Sequence, residues 1–184
     1  CMDYVRVVAD QKEELAVFAN RRLCAREQES RIDLDSDQAQ IVIGVRRSGK
    51  STLCQKVLRQ NGVGYAYVNF DDERLLGLKP EALDSLLEAL YVVYGKFTHL
   101  FLDEIQNVEG WHLFVNRLLR RGVRLLLTGS NAKLLSSELS THLTGRFNQI
   151  EMFPFSFSEF RLFKGRHVPQ STLDLADLRT DYQE

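Results

Sequence analysis

The 184-residue sequence has little cysteine, proline or tryptophan, with three, three and one residues of these types. Its three cysteines, Cys1, Cys24 and Cys54, cannot all pair and are widely spaced, which favours a reducing cytosol. No run of about 18 apolar residues is present, so no membrane-spanning helix is predicted. The first residues lack the basic segment and apolar stretch of a secretory signal. These absences predict a cytoplasmic protein without a membrane partner.

An excess of charge of one sign is also lacking. The 24 Lys and Arg residues nearly balance the 25 Asp and Glu residues, for a formal net charge of −1. Such a chain has no general basic coat for nucleic acid. Hydrophobic residues make up 44% of the sequence, which argues against intrinsic disorder. The length is that of one domain with a sizeable core.

Short apolar runs alternate with helical patterns along most of the chain. The apolar runs, predicted as strands, are 41–43, 65–70, 98–102, 124–128 and 149–153. The segments between them, predicted as helices, are 50–60, 80–94, 111–121 and 131–140. Because several strands are apolar throughout, the pattern favours a parallel sheet covered by helices on both faces. A further polar helix is predicted over 11–29, capped by Asp10 and lying on the surface.

The segment 44–51, called the phosphate loop below, reads GVRRSGKS and fits the pattern G-x-x-x-x-G-K-[ST] at every fixed position. The two glycines let the backbone fold around an anion, Lys50 reaches the β- and γ-phosphates, and the Ser51 hydroxyl binds Mg²⁺. A chance match is the alternative, but the apolar run before it and the helical pattern after it favour a nucleotide site. The predicted nucleotide-binding residues are Gly44, Val45, Arg46, Arg47, Ser48, Gly49, Lys50, Ser51 and Thr52.

Two carboxylates, Asp103 and Glu104, follow the third predicted strand. In an open α/β sheet this strand end faces the same edge as the phosphate loop. We predict that Asp103 joins Ser51 in holding Mg²⁺, directly or through water, and that Glu104 orients and deprotonates the attacking water. The alternative is a solvated turn, since Asp-Glu after a strand is common.

Two further polar features lie near the last strands. Ser130 and Asn131 follow the fourth strand, where a hydroxyl or amide would sense the γ-phosphate, although either residue would equally serve as a helix N-cap. Arg146 precedes the fifth strand, and its guanidinium would reach a γ-phosphate bound by a neighbouring subunit. For a lone arginine, an ordinary surface position is the alternative.

The order of elements and these motifs resemble the AAA+ ATPases. The resemblance rests on the phosphate loop and on the segments 102–104, 128–131 and 145–147. It implies a three-layer P-loop NTPase fold of the ASCE/AAA+ type, with a five-stranded parallel sheet in the order 5-1-4-3-2. It also implies ATP rather than GTP, Ser130 or Asn131 as first sensor, and Arg146 as an arginine finger.

A narrower resemblance rests on the segments 70–74, 103–108 and 127–160. They are similar to a group of bacterial and archaeal predicted ATPases whose AAA domain precedes a separate C-terminal domain related to DNA-associated folds. This implies an N-terminal helix and connection over 1–40 and an AAA+ P-loop ATPase core over 41–163. The polar tail over 164–184 is then expected to begin a missing lid or C-terminal region.

We therefore expect Mg²⁺-dependent ATP hydrolysis that drives a conformational change in a C-terminal or partner domain, with weak turnover in a chain without its lid. One alternative is a nucleotide-switched binding module with slow turnover. Another is a DNA-associated ATPase that uses the basic patch formed by Arg117, Arg120, Arg121 and Arg124. The expected ligands are ATP and Mg²⁺, with a homo-oligomer formed through Arg146 and a DNA or protein partner as further expectations.

Overall fold

The computed structural model describes residues 2–18, 27–45, 48–130, 134 and 136–153, and the fold is drawn from these ranges. The helices are α1 (Tyr4–Phe18), α2 (Lys50–Gln60), α3 (Leu83–Tyr94), α4 (Trp111–Arg120) and α5 (Ser136–Leu143). The strands are β1 (Ala39–Gly44), β2 (Tyr65–Asn69), β3 (His99–Asp103), β4 (Arg124–Ser130) and β5 (Phe147–Met152). The predicted alternation of strands and helices is therefore confirmed.

The five strands form one parallel sheet in the order β2-β3-β4-β1-β5. Read from the other edge, this is the predicted order 5-1-4-3-2. The β1 strand is buried along its whole length, because β4 and β5 flank it and helices cover both its faces. Since all strands point the same way, their carboxyl ends meet at one edge of the sheet.

Side chains that alternate along the strands divide the core into two clusters, one on each face of the sheet. On one face, Ile41, Leu102 and Leu127 pack with apolar residues of α1, α3, α4 and α5. On the other face, Val42, Phe101 and their neighbours pack mainly against α2. This arrangement gives the three-layer architecture expected for a parallel sheet.

Helix α1 differs from its prediction. It begins at Tyr4, and the Asp3 carboxylate accepts a hydrogen bond of 3.1 Å from the Arg6 backbone N–H at its start. Val7 and Val8, which belong to the first turns, are 2% and 0% exposed. The prediction of a surface helix starting after Asp10 was wrong, because it left out the apolar turn that anchors α1 to the core.

Gln11 attaches α1 to the edge of the sheet. Its side chain is buried, and its amide group donates to the Asn69 carbonyl and to the Asp72 carboxylate, each at 3.1 Å. Its side-chain oxygen accepts a hydrogen bond of 2.9 Å from the Asn69 backbone N–H. These bonds give the Asn69 N–H group of the edge strand β2 a partner and add a second donor to its carbonyl, which also accepts a hydrogen bond of 3.4 Å from the Asp72 backbone N–H.

Smaller differences concern the ends of elements. The predicted helix 80–94 is a 3-10 turn over Pro80–Ala82 followed by α3, and the predicted helix 131–140 corresponds to α5, which starts at Ser136. Residues 131–133 and 135 lie outside the described ranges. Among the helices that the structure describes, none combines the length and apolarity needed to cross a bilayer.

The anchoring of α1 is testable by making the same substitution at a buried and at an exposed valine of the helix. Val8→Ala removes two buried methyl groups and leaves a cavity, so we expect a loss of about 2 kcal/mol in the free energy of unfolding. Val17→Ala makes the same change on the same helix at a residue that is 67% exposed, and we expect little effect. Urea denaturation measures both. Equal effects would contradict the burial of α1.

Candidate functional site

The candidate site lies at the edge where the strands β1, β4 and β3 end. Gly44, Ser130 and Asp103 are the last residues of these three neighbouring strands. In open α/β sheets, ligands bind in the crevice outside the carboxyl ends of the strands. The sheet therefore brings the phosphate loop and the acidic pair to one place.

Two glycines of the phosphate loop are required by its geometry: Gly44 at the end of β1 and Gly49 just before α2. A Cβ at Gly44 would lie 2.7 Å from both the Met152 carbonyl oxygen and the Ser48 Oγ atom. Gly49 has a φ of 89°, in the left-handed region that favours glycine. The buried Ser48 hydroxyl has no hydrogen-bond partner among the described residues, as expected of a polar group in an anion cradle. Arg46 and Arg47 lie outside the described ranges.

Helix α2 begins at Lys50, so Lys50, Ser51 and Thr52 occupy its first turn. No acidic residue lies in that turn, which leaves the positive end of the helix dipole available for an anion. Ser51 and Thr52 are half-buried, whereas Lys50 is only 4% exposed. The site thus places a buried cation in the first turn of a helix.

The Lys50 ammonium is engaged by groups of the site itself. Its Nζ atom donates to the carbonyl oxygens of Gly44, at 3.1 Å, and Val45, at 3.0 Å. It also lies 3.6 Å from a carboxylate oxygen of Glu104. An incoming phosphate would compete with these oxygens for the same ammonium group.

Asp103 is a buried carboxylate surrounded by hydroxyl groups. The Ser51 hydroxyl lies 2.9 and 2.7 Å from its two oxygens, the Tyr67 hydroxyl donates to Oδ2 at 2.9 Å, and the Thr128 hydroxyl donates to Oδ1. Burial raises the pKa of the Asp103 carboxyl, although the hydrogen bonds from Thr128, Ser51 and Tyr67 act in the opposite direction. Burial and the nearby Asp103 charge raise the pKa of the Tyr67 phenol, which keeps it a hydrogen-bond donor at neutral pH.

The donor set at this position fits Mg²⁺. The Ser51 hydroxyl and the Asp103 carboxylate are hard oxygen ligands that already touch each other. No cluster of three or more metal-binding side chains occurs in the described part of the chain. In nucleotide sites, Mg²⁺ is held by one or two protein groups together with phosphates and water, and the pair of Ser51 and Asp103 would supply two such groups.

Glu104 follows Asp103 in a strained conformation that directs it toward the phosphate loop. Its φ of 56° is uncommon for a residue other than glycine and costs about 1–3 kcal/mol. Its backbone N–H donates to the Thr128 hydroxyl at 2.8 Å, and the Gln106 side-chain amide donates to its carboxylate at 2.7 Å. These bonds and the Lys50 ammonium hold the carboxylate in one position.

Ser130 and Gly129 end the β4 strand. Ser130 is half-buried, and its carbonyl accepts a hydrogen bond of 2.9 Å from the Leu134 backbone N–H. Gly129 leaves room for its neighbours, because a Cβ there would lie 2.0 Å from a Leu134 methyl and 2.8 Å from the Gln106 side-chain oxygen. Asn131 lies outside the described ranges, so the choice between Ser130 and Asn131 as sensor stays a prediction.

Arg146 is not brought to the phosphate loop of its own chain. It is exposed and directly precedes β5, and its carbonyl accepts a hydrogen bond of 3.0 Å from the Ala39 backbone N–H at the start of β1. The loop leaves the other end of β1, about 17 Å further along the strand. Its predicted action on a neighbouring subunit is compatible with this position and stays a prediction.

The sequence matches a model of the AAA domain family over residues 36–161, which is more than half of the chain. The chain belongs to the AAA domain family. The recognition of an AAA+ P-loop protein from its motifs is therefore confirmed.

Two curated relatives of this AAA domain are uncharacterized proteins. One, from Methanocaldococcus jannaschii, is 38% identical over 151 residues, which cover 80% of this chain and 34% of that protein. The other, from Haemophilus influenzae, is 37% identical over 158 residues, which cover 82% of this chain and 39% of that protein. The chain thus spans little more than a third of the length of these relatives.

Among solved structures, the AAA domain is similar to DnaA from Aquifex aeolicus, a structure with bound AMPPCP. The TM-score is 0.51 at 18% identity, over 80% of this chain and 52% of that one. At this identity the similarity concerns the fold alone. It confirms the predicted P-loop NTPase architecture.

Tyr67 and Thr128 belong to the site, although neither was predicted as a site residue. Thr128 carried a weak signal, since it is a polar residue at the end of the apolar run Leu125–Leu127. Nothing in the sequence indicated that Tyr67 belongs to the site, because tyrosine is common in strands. Its contact with Asp103 depends on how β2 pairs with β3.

The close packing behind Glu104 is testable at Gly129. We expect Gly129→Ala to lower the free energy of unfolding by about 1–3 kcal/mol, because the added methyl group overlaps Leu134 and Gln106. Gly64→Ala is a matched control, since a Cβ at Gly64 meets no atom within 4 Å. Chemical denaturation of both variants measures the difference. A neutral Gly129→Ala would show that this contact is loose.

Proposed function

We propose that this AAA domain binds Mg²⁺-ATP and hydrolyses the bond between its β- and γ-phosphates. One observation carries the proposal: the Lys50 ammonium and the Glu104 carboxylate lie 3.6 Å apart, next to the contact between Ser51 and Asp103. A phosphate-binding cation, a metal-binding pair and a base are thus within one site. Family membership supports nucleotide binding.

Binding uses the backbone of the phosphate loop and the first turn of α2. The N–H groups of this segment donate hydrogen bonds to the phosphate oxygens, helped by the positive end of the helix. Lys50 exchanges its bonds to the carbonyls of Gly44 and Val45 for bonds to the β- and γ-phosphates. Because Lys50 is nearly fully buried, its charge is poorly screened by water, and the interaction with phosphate is strong.

The Ser51 hydroxyl and the Asp103 carboxylate would hold the magnesium ion. When bound, Mg²⁺ supplies Lewis-acid stabilisation of the charge on the phosphate oxygens. The residues around it fix the two ligands: Thr128 and Tyr67 donate to the Asp103 oxygens, and α2 fixes the position of Ser51. Such support by surrounding residues is typical of metal sites.

Glu104 is proposed as the general base. Its carboxylate takes a proton from a water molecule, the water oxygen bonds to the γ-phosphorus, and the bond from that phosphorus to the β,γ-bridging oxygen breaks, leaving ADP and phosphate. The strained backbone and the Gln106 amide direct the carboxylate, while release of Lys50 to phosphate frees one of its oxygens.

Two more roles belong to the proposal. Ser130, at the end of β4 between the acidic strand and the loop strand, would report the state of the γ-phosphate. Arg146, which is exposed and directly precedes β5, would complete the site of a neighbouring copy. Coupling to a further domain or partner is supported by the greater length of the relatives, of which this chain spans 34% and 39%.

A second candidate is a nucleotide-switched binding module with slow turnover. The contacts of Lys50 with Gly44, Val45 and Glu104 favour it, because nucleotide must break all of them and so alters the acidic strand end on binding. Single-turnover hydrolysis, measured beside nucleotide-dependent oligomer size, distinguishes the candidates. A nucleotide-switched module changes its oligomer size when nucleotide binds, whereas an ATPase that works by turnover changes its oligomer size when the nucleotide is hydrolysed.

We expect Glu104→Gln to keep ATP binding and to lower single-turnover hydrolysis by about 10²–10⁴-fold, because the amide cannot accept the proton. Glu109→Gln is the control, as Glu109 is an exposed carboxylate of the same segment. Filter binding and phosphate release measure the two steps. Unchanged hydrolysis in Glu104→Gln would remove Glu104 as the base.

We expect Lys50→Ala to weaken ATP affinity about 10- to 100-fold, because it removes charge-assisted hydrogen bonds to phosphate. Lys79→Ala, at an exposed lysine outside the site, should bind like the wild type. Titration with a fluorescent ATP derivative gives both dissociation constants. Equal affinities would contradict the assignment of the phosphate loop.

A further inference from the structure

We infer that Tyr67 is a positioning residue for the magnesium site, which fixes the Asp103 carboxylate through its phenol hydroxyl. The inference rests on the proposed function and adds to it a residue of β2, outside the phosphate loop and the acidic pair. Tyr67 touches neither the phosphate loop nor Glu104 in the hydrogen bonds described, so it acts through Asp103.

The contact arises from strand register. Tyr67 pairs with Phe101, whereas Asp103 pairs with Asn69, so Tyr67 and Asp103 lie on the same face of the sheet and two positions apart. The tyrosine ring spans this offset and brings its hydroxyl to 2.9 Å from Oδ2. Packing against the Phe101 ring, with centroids 5.0 Å apart, fixes its direction.

Two neighbouring strands hold the carboxylate from opposite sides. Thr128 on β4 donates to Oδ1, and Tyr67 on β2 donates to Oδ2. The third donor, the Ser51 hydroxyl, contacts both oxygens but belongs to helix α2. If the Ser51 hydroxyl binds a metal ion, Thr128 and Tyr67 still donate to the Asp103 carboxylate and orient it.

The hydroxyl rather than the ring is what the site uses. Tyr67 is 7% exposed, and phenylalanine would fill the same apolar space between Phe101 and helix α2. A tyrosine hydroxyl buried here needs a partner, and its partner is the carboxylate proposed to bind the metal. Loss of such an outer contact typically weakens a metal site by about 10- to 100-fold.

The test compares Tyr67→Phe with Tyr65→Phe in the 184-residue chain. Tyr65 lies on the same strand and packs against the same core cluster, but it pairs with His99 at the start of the strands, away from Asp103. Mn²⁺ binding is followed by electron paramagnetic resonance in the presence of a non-hydrolysable ATP analogue. Affinity for the analogue is also measured in EDTA, and thermal unfolding reports the fold.

We expect Tyr67→Phe to raise the half-saturating Mn²⁺ concentration about 10- to 100-fold, with unchanged affinity for the analogue in EDTA. Tyr65→Phe should match the wild type. A merely structural tyrosine would lower the unfolding temperature and leave metal binding as it is. Wild-type Mn²⁺ binding in a folded Tyr67→Phe overturns the inference.

A second measurement keeps the hydroxyl group of Tyr67. In a wild-type chain labelled with 3-fluorotyrosine, the Tyr67 fluorine resonance, assigned by elimination with Tyr→Phe variants of the other tyrosines, should shift when Mg²⁺ is added with the analogue. If the chemical shift of this resonance does not change when Mg²⁺ is added, the inference is overturned. If the wild type binds the analogue but no metal, or binds neither, the proposed function fails first and the inference falls with it.

Discussion

The site depends on the burial of one negative charge. A carboxylate at the end of a central strand is stable inside the protein only when hydrogen bonds replace its water. Asp103 obtains these bonds from three hydroxyls, on β2, β4 and α2. The same bonds tie the ends of the strands to the helix after the phosphate loop, so the charge that suits a metal ion also fixes the geometry around it.

Strain and opposite charge add a second constraint. Glu104 accepts an unfavourable backbone conformation because Asp103 is fixed before it and the Thr128 hydroxyl binds its N–H group. Its carboxylate then faces Lys50, whose ammonium also contacts the carbonyls of its own loop. Under the proposed function, a phosphate group would replace these contacts of Lys50, which would link occupancy of the loop to the position of the acidic residues.

Much of this architecture could be predicted from local patterns. The apolar runs specified the strands to within a few residues, and the loop pattern placed Lys50 and Ser51 at the start of α2. The strand order came from the resemblance to a family, since alternation alone does not determine it. Helix α1 was misplaced because its buried turn, Val7 and Val8, is too short to give a clear period, and Gln11 gave no sign of its contacts with β2.

The sequence by itself determined which functional groups lie at the ends of β1 and β3, because the phosphate loop and the acidic pair are short motifs whose residues are adjacent in the chain. Only the tertiary structure decided what stabilises them. Tyr67 reaches Asp103 through the register of β2 on β3, and Thr128 does so from β4. Such contacts join residues 25 to 36 positions apart, so they follow from strand pairing and not from any local pattern.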